Sequence, residues 1–253
     1  MLEQSHAKKD HVLKRIASSP FMFAFIAFLI GLNLRPILAS IGPLFPVLQR
    51  EAGLSSTEFS LLTTLPVAMM GLVALSGPWL LARTGAVRGI TVGLSILLFA
   101  CLFRGFSTSL TGLMCTALAG GASIGMIQAL MPALIKKEYT QSASTFMSLF
   151  STGIMAGAAL AAATAEPLFT RLDLKPTLAI AGLLALLALI FWLSWARRRQ
   201  VEKTVFAEVT LSSSRTGLLL LFFGIGTGAY TLVLAWLPPL YIQAGWKIGR
   251  AHV

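Results

Sequence analysis

Acidic residues are scarce: 9 aspartates and glutamates stand against 20 lysines and arginines in 253 residues. Histidine is scarcer still, and His6, His11 and His252 all lie in the two ends of the chain. The only cysteines, Cys101 and Cys115, fall inside apolar runs. These shortages exclude a zinc or haem site and argue against a secretory disulfide framework. Chemistry inside a bilayer needs a paired acid and base, a nucleophile dyad or metal ligands, and the apolar runs hold none of these. The chain therefore reads as a non-enzyme with no cofactor and no metal. A retinal protein of about seven spans would need a Schiff-base lysine in its last span, and Thr216 to Ile242 contains none.

What is abundant is apolar surface. Hydrophobic residues make up 56% of the chain, charged residues 11%, and the mean hydropathy is +0.82, beyond any soluble domain of ordinary composition. The fold class expected is an all-α polytopic membrane protein. The net charge of +11 does not point to nucleic acid, because the basic residues sit in short connections between apolar runs rather than on one face with interleaved aromatics. They read instead as a topology signal, and the first apolar run, too long for a signal-peptide core, reads as a retained helix.

Residues 1–20 are a polar, basic tail carrying Lys8, Lys9, Lys14 and Arg15. The spans expected are about Phe21 to Leu48, Phe59 to Leu81, Gly89 to Phe103, Leu110 to Ile135, Ala143 to Leu168, Pro176 to Trp195 and Thr216 to Ile242, each near the length a bilayer core requires. Gln49 to Thr57 reads as a loop, and Arg104 as an arginine snorkelling to the interface beyond a short third span. With the N-terminus inside, lysines and arginines assigned to the cytoplasmic side outnumber those outside by roughly three to one. The stretch 196–215, with Arg197-Arg198-Arg199 and Ser212-Ser213-Ser214, is a polar cytoplasmic linker. It separates a six-helix bundle at 21–195 from one further helix at 216–247. Six spans, a basic linker and another span are the pattern of a transporter built from two six-helix halves. On that reading the second half is cut short, and Ile248 to Val253, which resembles a translated sequencing-library adapter, is expected to be a non-native tail.

The most informative stretch is Asn33-Leu34-Arg35-Pro36-Ile37-Leu38-Ala39-Ser40-Ile41-Gly42-Pro43-Leu44-Phe45-Pro46. Each proline removes a backbone donor and crowds the preceding turn, so the helix should kink or open there. Carbonyls freed in lipid must be satisfied by neighbours or water. An arginine in mid-span costs about 2.5–3.5 kcal/mol on insertion scales and marks a functional site by default. Arg35 thus reads as the counter-charge of a small anion, or else as a structural arginine bonded to carbonyls opened by the proline. Asn33 and Ser40, seven apart, share a face and either add donors to that site or bond neighbouring helices. Gln128, on the small-residue face of Gly121 and Gly125, either reaches the cavity or bonds the next helix. Gly153, Gly157, Ala161 and Ala165 recur every fourth residue, a ridge for close helix approach. Gly224-Ile225-Gly226-Thr227-Gly228 is not a nucleotide loop, since no strand precedes it.

Gly31-Leu32-Asn33-Leu34-Arg35-Pro36 with Gly42-Pro43-Leu44, Leu62-Thr63-Thr64-Leu65-Pro66, Gly120-Gly121 with Gly125 and Ile127-Gln128-Ala129, Met131-Pro132, and Ala235-Trp236-Leu237-Pro238 with Tyr241-Ile242 carry a resemblance over most of the chain. It resembles the major facilitator superfamily and, within it, the cyanate and nitroimidazole transporter family. The resemblance implies about twelve helices in two bundles, normally in one chain. It implies secondary active transport, by alternating access, of a small anion or polar solute, with cyanate foremost, across the bacterial inner membrane. A channel-like facilitator and an exporter of nitroimidazole-like compounds are the alternatives. The implied partners are a small-molecule substrate and the lipid bilayer. Thr63, Thr64, Tyr230 and Trp236 become cavity candidates through the resemblance alone, and the glycine-rich fifth span acquires a part in conformational exchange. The superfamily's loop signature after the second span keeps Arg83, Gly85 and Arg88, candidates for gating or for simply holding the loop inside. Ala82 stands where its acid belongs, which puts an acid-dependent charge relay in doubt.

Overall fold

The computed structural model describes residues 20–106 and 109–197, with scattered helical positions between 218 and 241. Tyr230, residues 198–215 and the tail at 248–253 lie outside the described residues. The described helices are α1 (Pro20–Asn33), α2 (Pro36–Ala39), α3 (Phe45–Ala52), α4 (Ser56–Leu75), α5 (Gly77–Thr84), α6 (Ala86–Phe106), α7 (Leu110–Glu138), α8 (Ala143–Leu172), α9 (Leu174–Ala179) and α10 (Ala181–Ala196). Six stretches among them are long and apolar enough to cross a membrane: Pro20–Ala39, Ser56–Leu75, Ala86–Phe106, Leu110–Glu138, Thr140–Leu172 and Leu174–Ala196. The molecule is an all-α polytopic membrane protein.

The prolines of the first span act where they stand. Pro36 opens α2 at its first turn, where a missing N–H costs nothing, and the chain between α2 and α3 is a run of turns containing Pro43. The expected loop from Gln49 to Thr57 is corrected. Helix α3 continues to Ala52, Gly53 closes it in the left-handed conformation at φ 65°, and α4 begins at Ser56. That early start follows from a capping box. Ser55 Oγ accepts from the Glu58 amide at 3.3 Å, and the Glu58 carboxylate accepts from the Ser55 amide at 2.8 Å. The third span is also longer than expected, since α6 runs through Arg104 to Phe106.

The first span packs on the fifth (α1 and α2 on α8), the second on the fourth (α4 on α7), and the third on both the fourth and the sixth (α6 on α7, α9 and α10), with the sixth closing on the first. Two of these crossings press backbone on backbone most closely, and a third approach lies between α6 and α9, where a methyl on Gly105 would stand 3.0 Å from Lys175 O. A methyl on Gly153 or Gly157 would meet the carbonyl oxygens of Phe28 or Leu32, and one on Gly31 that of Phe150. One on Gly121 or Gly125 would meet the backbones of Pro66 or Met70. The ridge at Gly153 and Gly157 is therefore a packing seam.

Two apolar clusters fill the described bundle. The larger includes Phe23, Ile30, Leu34, Ile37, Leu94, Ile127, Phe150 and Trp192; the smaller includes Ile41, Leu44, Phe45, Phe59, Leu113 and Leu178. The first span is interrupted at Leu34-Arg35 and again at 40–44, and one cluster gives way to the other at this second break, between Ile37 and Ile41.

Candidate functional site

Arg104 and Thr116 meet at that junction, among the buried polar side chains of the described bundle. Asn33, Arg35, Arg104, Thr116 and Ser123 are all buried, with Arg104 only 1% exposed and Arg35 6%. Arg35 is the residue that starts α2, with backbone angles of −110° and −23°. Two buried guanidinium groups in adjoining helices make this the most positively charged interior of the described bundle.

The backbone of the break explains how the layer is held. Ile41 N–H turns to Leu38 O at 3.3 Å, a tightened bond that leaves Ile37 O without its usual helical donor. Arg104 supplies one: its Nη1 donates to Ile37 O, while its Nε donates to Thr116 Oγ1 at 3.3 Å. Thr116 in turn donates within α7 to Gly112 O or Leu113 O, at 3.0 and 2.9 Å. A carbonyl unsatisfied in the membrane core costs several kcal/mol, and so does a buried charge without hydrogen bonds. Each defect answers the other.

Arg104 therefore does not snorkel. The sequence suggested an interfacial arginine because the apolar run seemed to end at Phe103, but α6 continues past it and turns the side chain inward. Helical rise gives the signal that was available. Arg35 lies about 22 Å along its span and Arg104 about 27 Å along its own, so two spans entering from the same side bring the arginines to similar depth.

The other candidates divide. Asn33 Nδ2 donates to Leu29 O at 2.7 Å, and Ser40 Oγ to Pro36 O at 2.8 Å, so both serve their own helix. Ser40 also lines a largely apolar crevice of about 80 Å³ with Leu32, Gly157, Thr164, Thr177 and Leu184, between the first, fifth and sixth spans. Gln128 is half-buried, three residues beyond Gly125 on the face of α7 that meets α4. Thr63 bonds its own helix through Ser60 O at 3.0 Å, and Thr64 is exposed. Trp236 sets its ring edge-on to Phe59 at 5.6 Å and near Phe45 at 6.5 Å, against the smaller cluster rather than beside Arg35.

At the opposite end of the second span Arg83 and Arg88 are exposed. The Arg83 guanidinium lies over the Trp79 ring, 4.7 Å from its centre, an attraction worth about 0.5–1 kcal/mol at an exposed site. Gly85, at φ 70° and ψ 159°, closes α5 in a conformation that side-chain-bearing residues rarely adopt.

The exposed faces of the spans differ in kind. On α6 they present Val92, Ile96, Phe99 and Phe103, and on α10 Leu183, Leu186, Leu187 and Ile190. On α8 they present Ser144, Thr145, Ser148, Ser151 and Thr152 toward its start, and Met155 and Leu160 farther on. The first kind suits acyl chains. Hydroxyls exposed along a span suit a wet cavity or a polar neighbour.

Residues 21–252 match the family model of the Major Facilitator Superfamily. The chain is 37% identical over 224 residues to the cyanate transport protein of Escherichia coli (strain K12), an alignment covering 87% of this chain and 58% of that protein. It is 31% identical over 237 residues to an uncharacterized transporter of Bacillus subtilis (strain 168), covering 88% and 58% respectively. It is 25% identical over 229 residues to the 2-nitroimidazole transporter of E. coli (strain K12), again covering 88% and 58%. The chain thus spans somewhat over half the length of these relatives.

Proposed function

The chain belongs to the Major Facilitator Superfamily, and on that premise we propose that its six described spans form the N-terminal half of a secondary transporter for a small anion, with cyanate the first candidate. The substrate reading is supported by the cyanate transport protein among its relatives. The observation that carries the site is Arg35: a guanidinium buried at the start of a broken segment of the first span, two residues before the Ile37 carbonyl that a second buried arginine holds. A fixed positive charge inside a membrane bundle attracts an anion, and its high cost makes a purely decorative role uneconomical. The hydroxyl face of α8 supplies a polar wall toward the other half, and rocking of the halves would expose the site to each side in turn.

The protein sits in the inner membrane with its N-terminus in the cytoplasm. Burial of Arg104 strengthens that orientation, because it removes one arginine from the external side and leaves Arg50, Arg171 and Lys175 there. Residues 196–215 then form the cytoplasmic linker to the second half.

The test is uptake of labelled cyanate into cells lacking their own transporter, with protein expressed from the complete gene and compared with Arg35→Ala at equal membrane abundance. Uptake should fall at least about tenfold in Arg35→Ala, the loss of a counter-charge to the substrate. Arg35→Lys should retain part of the activity if charge alone is needed, and little if the planar fork is. Unchanged uptake in Arg35→Ala would remove the site. Absence of cyanate uptake by the unaltered protein would move the substrate toward nitroimidazole-like solutes, and uptake that never saturates would favour a channel-like facilitator.

A further inference from the structure

We infer that Arg104 is a positioning residue that fixes the α2 turn, and with it Arg35, in the geometry that binds substrate. The inference rests on the reading of Arg35 as the anion's counter-charge.

Five observations converge on it. Arg104 is almost completely buried, and its guanidinium ties three spans at one point: α6 from its own backbone, the first span through Ile37 O, and α7 through Thr116 Oγ1. The carbonyl it holds lies two residues beyond Arg35, within the short helix that Arg35 itself starts. That helix is only four residues long, and its continuation is a run of turns, so little in its own backbone holds it in place. Leu38 and Ala39 amides both bond Arg35 O, at 3.0 and 2.8 Å, which couples the position of the turn to that of Arg35. On the other side, Ile37 fills the space over Gly120, where a methyl would stand 2.8 Å from Ile37 Cδ1. The turn is thus clamped between a side chain of the third span and the surface of the fourth.

Lysine is a poor replacement at such a point. A guanidinium presents donors in a fixed fork and reaches two acceptors on different helices, whereas an ammonium is a compact point charge on a flexible stem. The planar group explains why an arginine stands at 104.

The experiment reads the turn and the transport separately. Arg104→Met, Arg104→Lys and Thr116→Val, expressed from the complete gene, are compared with the unaltered protein by amide hydrogen exchange over residues 37–41 in lipid nanodiscs and by the concentration dependence of labelled cyanate uptake. Arg104→Met should speed exchange of that segment by about tenfold or more, since the turn loses its clamp. It should raise the KM for cyanate by about fivefold or more, with the maximal rate per inserted molecule within about twofold. Arg104→Lys should fall between, and Thr116→Val, nearly the same shape as threonine, should shift both readouts by about two- to threefold. If Arg104→Met does not accumulate, the lysine and valine variants decide. Exchange and KM both unchanged at normal abundance would overturn the inference. Faster exchange with an unchanged KM would also overturn it, since the arginine would then serve the fold alone. If the unaltered protein carries no cyanate, the substrate reading fails and the KM is read with labelled 2-nitroimidazole instead, the same combinations of exchange and KM deciding the inference.

Discussion

At Gly157 an added methyl would meet the carbonyl oxygen of Leu32, whereas at Gly182 it would meet the tip of the Leu102 side chain, 2.7 Å from Cδ2. The two glycines stand for two kinds of helix contact in one bundle. Where α8 crosses the first span, and where α7 crosses α4, backbone lies on backbone. Where α10 meets α6, a side chain fills the gap, and that side chain is 36% exposed. A glycine inside a helix costs about 0.8–1.0 kcal/mol relative to alanine. Gly121, Gly125, Gly153 and Gly157 are kept in helix interiors against that cost, and close packing across the seams offsets it. The rigid seams therefore join the first span to the fifth and the second to the fourth, whereas the contact of α10 with α6 is padded by a partly exposed leucine.

The comparison is broken most directly at the rigid seams. Gly157→Ala and Gly121→Ala should each destabilise the purified protein on the order of 2 kcal/mol, because the methyl meets backbone that moves only with its whole helix. Thermal unfolding in detergent reads the loss. If both variants unfold at the temperature of the parent, the backbones do not lie so close, and the distinction between the two kinds of contact collapses.

How much of this was legible in the chain depends on how far apart the partners lie. The spans follow from hydropathy, and the opening of the first span follows from Pro36, Pro43 and Pro46, because both are local properties. The every-fourth spacing of Gly153 and Gly157 announced a seam, but nothing in it named Phe28 and Leu32 as the other side. Ser55 and Glu58 form a capping box at the spacing that signals a helix start, two residues before the end of the loop that the polar residues to Thr57 suggest. Arg35 stood out as a charge in mid-span. Arg104 did not, because its acceptor, Ile37 O, lies 67 residues away and becomes available only once the first helix has opened. A pairing that depends on a break elsewhere in the fold leaves no trace in local pattern. Depth along each helix was the one sequence-level clue.

A smaller effect sharpens the padded side. Gly182→Ala should change stability by no more than about 0.5 kcal/mol, since the gain in helix propensity and the displacement of Leu102 nearly cancel. The same unfolding measurement applies. A loss as large as that of Gly157→Ala would mean that Leu102 cannot swing toward lipid, and that the third and sixth spans are locked as firmly as the first and fifth.

Gly71 is the third case, and the subtlest. It lies within α4, and among the described residues a methyl there would meet nothing within 4 Å. If that face looks onto lipid or water, Gly71→Ala should stabilise the protein by up to about 1 kcal/mol, the full propensity difference, since no neighbour opposes it. The middle of that face, at exposed Thr64, Ala68 and Gly71, is small and partly polar, while Leu61 and Leu75 are exposed at its ends. A span facing lipid has no need of small residues, but one that must admit another backbone does. Thermal unfolding of Gly71→Ala beside the parent therefore separates the two possibilities. A gain in stability marks the face of α4 as open, whereas a loss comparable to that at Gly121 means another helix closes on Gly71 and adds a third rigid seam, between α4 and a helix outside the six described spans.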